Sequence, residues 1–177
     1  MATAPARLPL GLKIIYAAGQ AGNVITYQLL TTYVLALYSP PSGKGGDLIP
    51  SAVLGVIPTM LLLNVLARGF DSFFDPFLAN WSDRSKHPLG RRRVFMAAGC
   101  VPLAAITGAI FFPMSNEPGL LNVATLGLLL TAYYGFYSVY VAPYLALLPE
   151  LAPDKDENTV LSTFQAAAGL FGALLVM

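Results

Sequence analysis

Long apolar stretches, separated by short polar segments, fill most of this chain. Five stretches share this character: about 12–38, 51–79, 94–114, 119–148 and 159–177. A helix that crosses a membrane needs about 20 mostly apolar residues, and each stretch comes close to or exceeds that length. The first one is also too long for a cleaved signal peptide. The pattern therefore predicts an all-α polytopic membrane protein with about five transmembrane helices.

The polar segments between the stretches indicate an orientation. The 80–93 segment contains five Lys and Arg residues, whereas 39–50 contains only Lys44 and 115–118 contains none. Basic loops are retained in the cytoplasm, so we expect the 80–93 loop and the N-terminus on the cytoplasmic side of the cell membrane. By parity the 149–158 segment is also cytoplasmic, although it carries one Lys and four acidic residues, which count little in this rule.

The second apolar stretch carries a stripe of polar side chains, spaced i, i+4, i+7 and i+11: Asn64, Arg68, Asp71 and Asp75. At about 100° per residue these positions fall within an arc of roughly 60° on a helix. Asp71 precedes the polar Asp83 by 12 residues. At ~1.5 Å per residue this distance is about 18 Å, near mid-depth of a ~30 Å hydrocarbon core. A charge there costs at least about 2.5–3.5 kcal/mol, so it must face a watery cavity, a partner or a bound ion.

The charges of this stripe do not balance, because one Arg cannot neutralise two carboxylates. The remaining negative charge suits a bound cation or a proton. The alternative is a purely structural ion pair between Arg68 and either Asp71 or Asp75. Ionisable residues inside a membrane are functional by default, which favours the functional interpretation.

Two further stretches repeat this spacing with neutral groups. The first holds Tyr16, Gln20, Asn23 and Tyr27, and the fourth holds Tyr133, Tyr137, Tyr140 and Tyr144. The simplest arrangement turns all three polar faces toward one solute cavity. That cavity would be lined by Asn64, Arg68, Gln20, Asn23, Tyr27, Tyr137, Tyr140 and Tyr144. The alternatives are an interhelical hydrogen bond for Gln20 and Asn23 and ordinary helix packing for the tyrosines.

Composition excludes several other classes of function. A net charge of +1 gives no indication of nucleic-acid binding. The single cysteine, Cys100, lies in an apolar run, and the single histidine, His87, lies in the basic loop, so no Cys/His cluster suggests a metal site. We therefore expect no cofactor and no metal beyond a coupling ion.

The segment RGFDSFFDPFLANWSDRSKHPLGRRR, residues 68–93, resembles a known family pattern. It is similar to the glycoside–pentoside–hexuronide:cation symporters, the melibiose-permease-like branch of the major facilitator superfamily. The family pattern has an Arg, an Asp three residues on, Asp-Pro, a Gly, Asp-Arg-Thr and a basic close. The matching positions here are Arg68, Asp71, Asp75-Pro76, Ala79, Asp83-Arg84-Ser85 and Gly90 to Val94.

The resemblance implies a twelve-helix fold in two six-helix bundles, with alternating access to a central site. This chain would then be the incomplete N-terminal bundle, and the missing C-terminal helices would be required for activity. The resemblance also implies that Asp71 and Asp75 bind the coupling ion, Na⁺ or H⁺, and that Arg68 lies near the substrate cavity. The cytoplasmic gating loop would include Asp83, Arg84, Gly90, Arg91 and Arg93.

Five positions depart from the sugar-transporting pattern: Val141, Leu145, Gln165 and the pair Asn23-Val24. Sugar-transporting members carry acidic, aromatic or basic residues there. The expected function is thus cation-coupled secondary transport of a sugar or related small solute, with a lysolipid or another solute as the alternative cargo.

Two other functions are alternatives to transport. A membrane phosphoalcohol transferase could hold Mg²⁺ at Asp71 and Asp75, but Ala67-Arg68 lies too close to Asp71 for that motif, and the upstream Asp-Gly is missing. We therefore expect no enzyme activity. The other is a non-transporting membrane protein or inactive fragment. A cavity between two bundles needs both of them, so these 177 residues alone should not transport.

Overall fold

Helices make up most of the described chain in the computed structural model, which describes residues 8–40, 46–53, 57–85, 88 and 90–177. The side chains of Val53, Ala79, Asp83 and Arg91 lie outside the described part. The elements in chain order are α1 (Leu10–Gln28), a π-helical turn (Leu29–Tyr33), α2 (Val34–Tyr38), β1 (Ala52–Val53), β2 (Ile57–Pro58), α3 (Thr59–Arg84), α4 (Arg91–Ile110), α5 (Leu120–Leu151) and α6 (Lys155–Val176). The predicted all-α class is confirmed, with one two-residue antiparallel strand pair, β1 with β2, added to it.

The second helix begins later than the apolar pattern predicts. It starts at Thr59 rather than near residue 51, because the chain before it doubles back as the β1–β2 pair. The Thr59 hydroxyl donates to the Pro50 carbonyl at 2.5 Å, and the Thr59 N–H donates to the Ser51 carbonyl at 3.2 Å. These bonds close the hairpin at the helix entrance. A continuous apolar run does not distinguish such a turn from a helix.

The expected 80–93 loop is shorter in the structure. Helix α3 continues to Arg84 and α4 begins at Arg91, so both ends of the basic segment are helical. Charged side chains at a helix end can extend toward the headgroups while their backbone stays hydrogen-bonded in the helix. The other bounds shift for local reasons. Pro113 follows the end of α4, and the Asp154 carboxylate accepts from the Glu157 N–H at 3.5 Å to begin α6 at Lys155.

Three of the helices are long and apolar enough to cross a membrane within the described residues: Arg92–Ile110, Leu120–Leu151 and Lys155–Val176. At most 28% of any of these spans is buried inside the structure. Most residues of these helices thus keep some exposed surface, as a lipid-facing helix requires. Helix α3 differs from them by carrying the three charges of the stripe.

The chain divides into two compact units, Leu30–Pro143 and the combination of Met1–Leu29 with Tyr144–Met177. In the Leu30–Pro143 unit, α2, α3, α4 and the first part of α5 enclose one apolar core. Its fully buried side chains include Tyr38, Ile110, Leu126 and Tyr133. The Tyr38 hydroxyl reaches the Ile110 carbonyl at the end of α4 and donates to it at 2.9 Å.

Asn122 holds the loops of the Leu30–Pro143 unit together at the start of α5. Its side chain is fully buried, and its Nδ2 donates to the carbonyls of Leu48, Ser115 and Glu117 at 2.8–3.2 Å. Its Oδ1 accepts from the Ser115 N–H at 3.0 Å. One amide therefore satisfies backbone groups from two loops that would otherwise be buried without partners.

In the other unit, α1 packs closely along α6. A Cβ atom added at Gly172 would lie 2.7 Å from the Ala21 carbonyl oxygen, so only glycine permits this approach. At one end of the pair, Lys13 Nζ lies 2.6 Å from Glu157 Oε1, which also accepts from the Leu8 N–H at 3.0 Å. Both charged side chains are almost buried, with 11% and 13% exposed.

Candidate functional site

Helix α3 lies against α5 through small and apolar side chains. Ala67 is buried at 1% exposure, and a Cβ added at Gly127 of α5 would lie 3.0 Å from Leu63 Cδ2. This close approach brings the polar stripe of α3 within reach of α5 side chains. The stripe and its partners all belong to the Leu30–Pro143 unit.

Asp71 is bound by a hydroxyl from α5. Ser138 Oγ donates to Asp71 Oδ1 at 2.6 Å, and Ser138 itself is only 6% exposed. Asp71 is half-buried, whereas Asp75, one helical turn further along α3, is exposed. Such a short bond to a carboxylate is charge-assisted and fixes the orientation of the carboxyl group.

Tyr134 is one helical turn before Ser138 on α5 and contacts the other half of the stripe. Its hydroxyl donates to Asn64 Oδ1 at 3.4 Å, and Asn64 Nδ2 donates to the Met60 carbonyl at 3.0 Å. The Arg68 Cζ lies 5.3 Å from the centroid of the Tyr134 ring, which is a cation–π distance. Asn64, Arg68 and Asp71 are thus all held by two residues of α5.

The donor atoms at this site are those that hard cations prefer. Two carboxylates and one hydroxyl supply oxygen ligands, and carboxylate oxygens suit metal ions that are not transition metals. The described residues contain no group of three or more His, Cys, Asp and Glu side chains that could hold a metal ion. Binding of a coupling ion by Asp71 and Asp75 stays a prediction.

The tyrosines that repeat along α5 have partners of their own. Tyr133 lies in the core, Tyr137 stacks on it with a centroid distance of 5.7 Å, and both take part in apolar packing. Tyr140 is half-buried and packs beside α4, where a Cβ added at Gly99 would lie 3.1 Å from the Tyr140 nitrogen. The cavity role of Tyr137 and Tyr140 stays a prediction.

The neutral residues predicted for the cavity fall in the other unit. The Gln165 Nε2 donates to Gln20 Oε1 and to the Tyr144 hydroxyl, each at 3.4 Å. The rings of Tyr16 and Tyr144 stack with centroids 4.7 Å apart, and each hydroxyl donates to the carbonyl of the other residue. Gln20 therefore makes an interhelical hydrogen bond with Gln165 of α6, which is the alternative to a role in lining the cavity.

Two other predicted cavity residues lie on the same helix as Gln20. Asn23 Oδ1 is buried without a hydrogen-bond partner among the described residues, and Tyr27 is half-buried. A buried amide oxygen without a partner is uncommon in proteins. The predicted cavity residues thus form two sets, one in each unit.

The predicted gating residues lie at the facing ends of two helices. Asp83 and Arg84 end α3, and Arg91 to Arg93 form the first turn of α4. Gly90 precedes them with φ of 101°, a conformation that only glycine adopts easily. Trp81 and Phe95 join the two helices with ring centroids 5.5 Å apart, while the side chains of Asp83 and Arg91 lie outside the described residues.

Comparison with known proteins identifies the class to which this arrangement belongs. A family described as MFS/sugar transport protein matches residues 15–177. The chain belongs to this family. It is also 30% identical, over 96% of its length, to an uncharacterized symporter from Synechocystis sp..

Two relatives carry names that state a cargo. The chain is 26% identical over 89% of its length to a lactose permease of Lactobacillus helveticus, and 23% identical over 94% to a raffinose carrier protein of Pediococcus pentosaceus. It spans only 30%, 25% and 26% of the three relatives' lengths, respectively. No solved structure matches. Members of this transporter family are multi-pass membrane proteins, as the apolar helices predict.

Two residues that contact the α3 stripe, Ser138 and Tyr134, were not predicted from the sequence. Ser138 lies one helical turn after Tyr134 on α5. The regular spacing of the other tyrosines on the same helix is the more prominent pattern in the sequence, so it drew the prediction away from these two residues. A lone serine in an apolar helix often bonds only to its own backbone. The signal that could have identified Ser138 is its position as one of the few polar, non-aromatic side chains in the middle of a 32-residue helix.

Proposed function

We propose that the full-length protein is a cation-coupled secondary transporter that moves a small organic solute by alternating access. The observation that supports this best is the Asp71 carboxylate, held at 2.6 Å by Ser138 on a helix of a transporter-family chain. The coupling ion is Na⁺ or H⁺. The protein lies in the cell membrane, with the N-terminus and the 80–93 segment in the cytoplasm.

The charge on α3 supports a coupling role for Asp71 and Asp75. A carboxylate inside a membrane is unfavourable by several kcal/mol unless it is compensated. The single positive charge of Arg68 compensates one of the two, so a cation or proton bound at the pair removes the remaining charge. Binding and release of that ion therefore change the electrostatic state of α3, which is what coupling requires.

The solute is a sugar or a related hydroxyl-rich compound. The names of the lactose and raffinose relatives support this class. So does the neutral set Gln20, Gln165 and Tyr144, because amide and hydroxyl groups both donate and accept hydrogen bonds, as sugar hydroxyls require. A lysolipid is the alternative cargo, and an uptake screen that includes both classes separates them.

The ends of α3 and α4 serve as the gate in this proposal. Arg91, Arg92 and Arg93 occupy the first helical turn of α4, where the helix dipole disfavours positive charge. Acidic groups that approach this turn in one conformation would relieve that cost. Gly90 supplies the sharp turn that presents the three arginines.

Neutralising the α3 carboxylates tests this function. Asp71→Asn and Asp75→Asn in the full-length protein, reconstituted in liposomes, should each abolish cation-dependent solute uptake, because an amide carries no charge for the ion to neutralise. We expect initial uptake rates to fall at least about 100-fold, as for loss of an essential charged group. Asp156→Asn is the matched control, since that carboxylate is exposed in the first turn of α6.

The control variant should transport at the wild-type rate with the wild-type cation dependence. If both α3 variants also retain wild-type cation-coupled uptake, these carboxylates do not bind the coupling ion and the proposal is wrong. Surface expression and elution from a size-exclusion column, measured for all three variants, separate loss of coupling from loss of folding.

A further inference from the structure

Arg68 carries a permanent charge on a long, flexible side chain next to the proposed ion site. It is exposed, and it precedes Asp71 by three residues on α3. Residues spaced in this way are neighbours on a helix surface, with Cβ atoms about 5–6 Å apart. The guanidinium can therefore reach the same carboxylates that a coupling cation would bind, so its position affects how well that cation competes.

The aromatic ring of Tyr134 defines where this guanidinium lies. The Arg68 Cζ is 5.3 Å from the ring centroid, inside the roughly 6 Å limit for a cation–π contact. Arginine suits such contacts because its planar, weakly hydrated head stacks on aromatic faces. The attraction draws the charge toward α5.

Tyr134 is itself buried and packed on both helices, which restricts the positions that its ring can take. It is only 2% exposed, and its ring meets Tyr133 edge-on, at 5.4 Å and 83°. Its hydroxyl donates to Asn64 Oδ1, and Asn64 in turn donates to the backbone of its own helix. The ring is thus a fixed platform that both helices support.

From this geometry we propose that Tyr134 is a positioning residue that holds Arg68 and thereby sets the cation affinity of Asp71 and Asp75. The inference rests on the proposed transport function. Without the ring, Arg68 gains rotamers that bring it closer to the carboxylates. The guanidinium and the cation then compete more strongly for the same oxygens, and the cation binds less tightly.

Two substitutions of Tyr134 separate the ring from the hydroxyl. In Tyr134→Phe the ring remains and only the hydrogen bond to Asn64 is lost, whereas Tyr134→Leu removes the ring. The full-length protein in liposomes is titrated with sodium chloride at constant ionic strength, and with protons in a parallel series. Tyr134→Leu should raise the half-saturating cation concentration up to about fivefold, since a cation–π contact of an exposed guanidinium is lost. Its maximal uptake rate should change much less.

The Phe variant should stay within about threefold of wild type in half-saturating cation concentration, because it retains the cation–π contact. A purely structural role for Tyr134 predicts instead that affinity and maximal rate fall together. If folded Tyr134→Leu protein keeps the wild-type cation affinity, the inference is wrong. An equal loss of affinity in both variants also contradicts it, because the hydroxyl would then be the important group.

Arg68→Gln provides a second measurement that does not disturb the core, because Arg68 is exposed. Cation binding is followed by the rise in the thermal midpoint of the purified full-length protein as sodium or protons are added, which needs no uptake. Removing the competing guanidinium should lower the half-saturating cation concentration. An unchanged or higher value contradicts the inference.

The failure of this inference is distinguishable from the failure of the proposed function. If Asp71→Asn retains cation-coupled uptake, the coupling function itself fails. If Asp71→Asn loses coupling while Tyr134→Leu and Arg68→Gln both bind the cation as wild type does, only the positioning role of Tyr134 fails.

Discussion

Ser138 makes the most specific contact at the residue scale, since its hydroxyl donates to one oxygen of Asp71 at 2.6 Å. In the proposed site, the same hydroxyl oxygen is available as a ligand to the coupling ion. Hydrogen bonds to charged groups contribute about 1.5–3 kcal/mol. The contribution of Ser138 should therefore be large enough to measure in a cation titration.

Removal of this hydroxyl should weaken cation binding without abolishing transport. Ser138→Ala in the full-length protein should raise the half-saturating Na⁺ concentration about tenfold or more, which corresponds to at least ~1.4 kcal/mol. If the coupling ion is a proton, the opposite direction is expected, because the lost bond stabilises the charged carboxylate. Ser138→Thr keeps the hydroxyl and should stay near wild type. The result that contradicts this role is an Ala variant whose cation titration overlays that of the Thr variant.

Asp71 and Asp75 stand out in the sequence because charge inside an apolar stretch is costly wherever the helix is placed, and their role as the ion site stays a prediction. Ser138 and Tyr134 could not be identified from the sequence, because their role depends on how α5 is rotated about its axis. The tyrosine spacing on α5 predicts one polar face, whereas Ser138 and Tyr134 make the hydrogen bonds to the α3 stripe described above. A polar pattern on an apolar helix does not reveal which side meets a partner.

At the element scale, the contact between α1 and α6 depends on glycine rather than on polar groups. The Gly172 Cα approaches the Ala21 carbonyl so closely that an added Cβ would overlap it at 2.7 Å. The obstacle is backbone, which cannot move aside as a flexible side chain can. Small residues at interhelical contacts are the usual means of close packing in membranes.

Gly172→Ala should therefore destabilise the α1–α6 pair. We expect an overpacking cost of about 1–3 kcal/mol, seen as a thermal midpoint several degrees lower for the protein in detergent. Gly22→Ala is the matched control, because a Cβ at Gly22 meets no described atom within 4 Å. The control should be unchanged or slightly stabilised, since alanine favours helix. Equal thermal midpoints for the two variants would contradict this prediction, because the α1–α6 contact would then accommodate the added methyl group at no cost in stability.

The presence of each long helix could be predicted from the sequence, but several helix boundaries could not. Apolar length alone indicates the five long helical segments, since lipid leaves backbone groups no other partners. The start of α3 was placed too early because the sequence before Thr59 is mostly apolar like a helix, yet Ala52–Val53 and Ile57–Pro58 pair as β1 and β2. The extension of α3 to Arg84 was not predicted, because charged residues that follow an apolar stretch are also typical of a loop.

At the scale of the whole molecule, we propose that the movement of a solute is coupled to the movement of a cation that binds to α3. The chain spans 25–30% of the relatives it was compared with above, so this claim concerns the full-length protein. In the proposal, the stripe on α3 is the ion site, the neutral groups on α1, α5 and α6 bind the solute, and the α3–α4 ends form the gate. Coupling requires that neither substrate crosses productively alone.

The most direct test is cation flux driven by the solute. Liposomes containing the full-length protein are given an inward gradient of a transported sugar, with no cation gradient, and internal Na⁺ and pH are followed with fluorescent indicators. The account predicts that the sugar drives Na⁺ or H⁺ inward against its gradient, and that Asp71→Asn eliminates this flux. Sugar entry without any movement of Na⁺ or H⁺ in the wild-type protein would contradict the account.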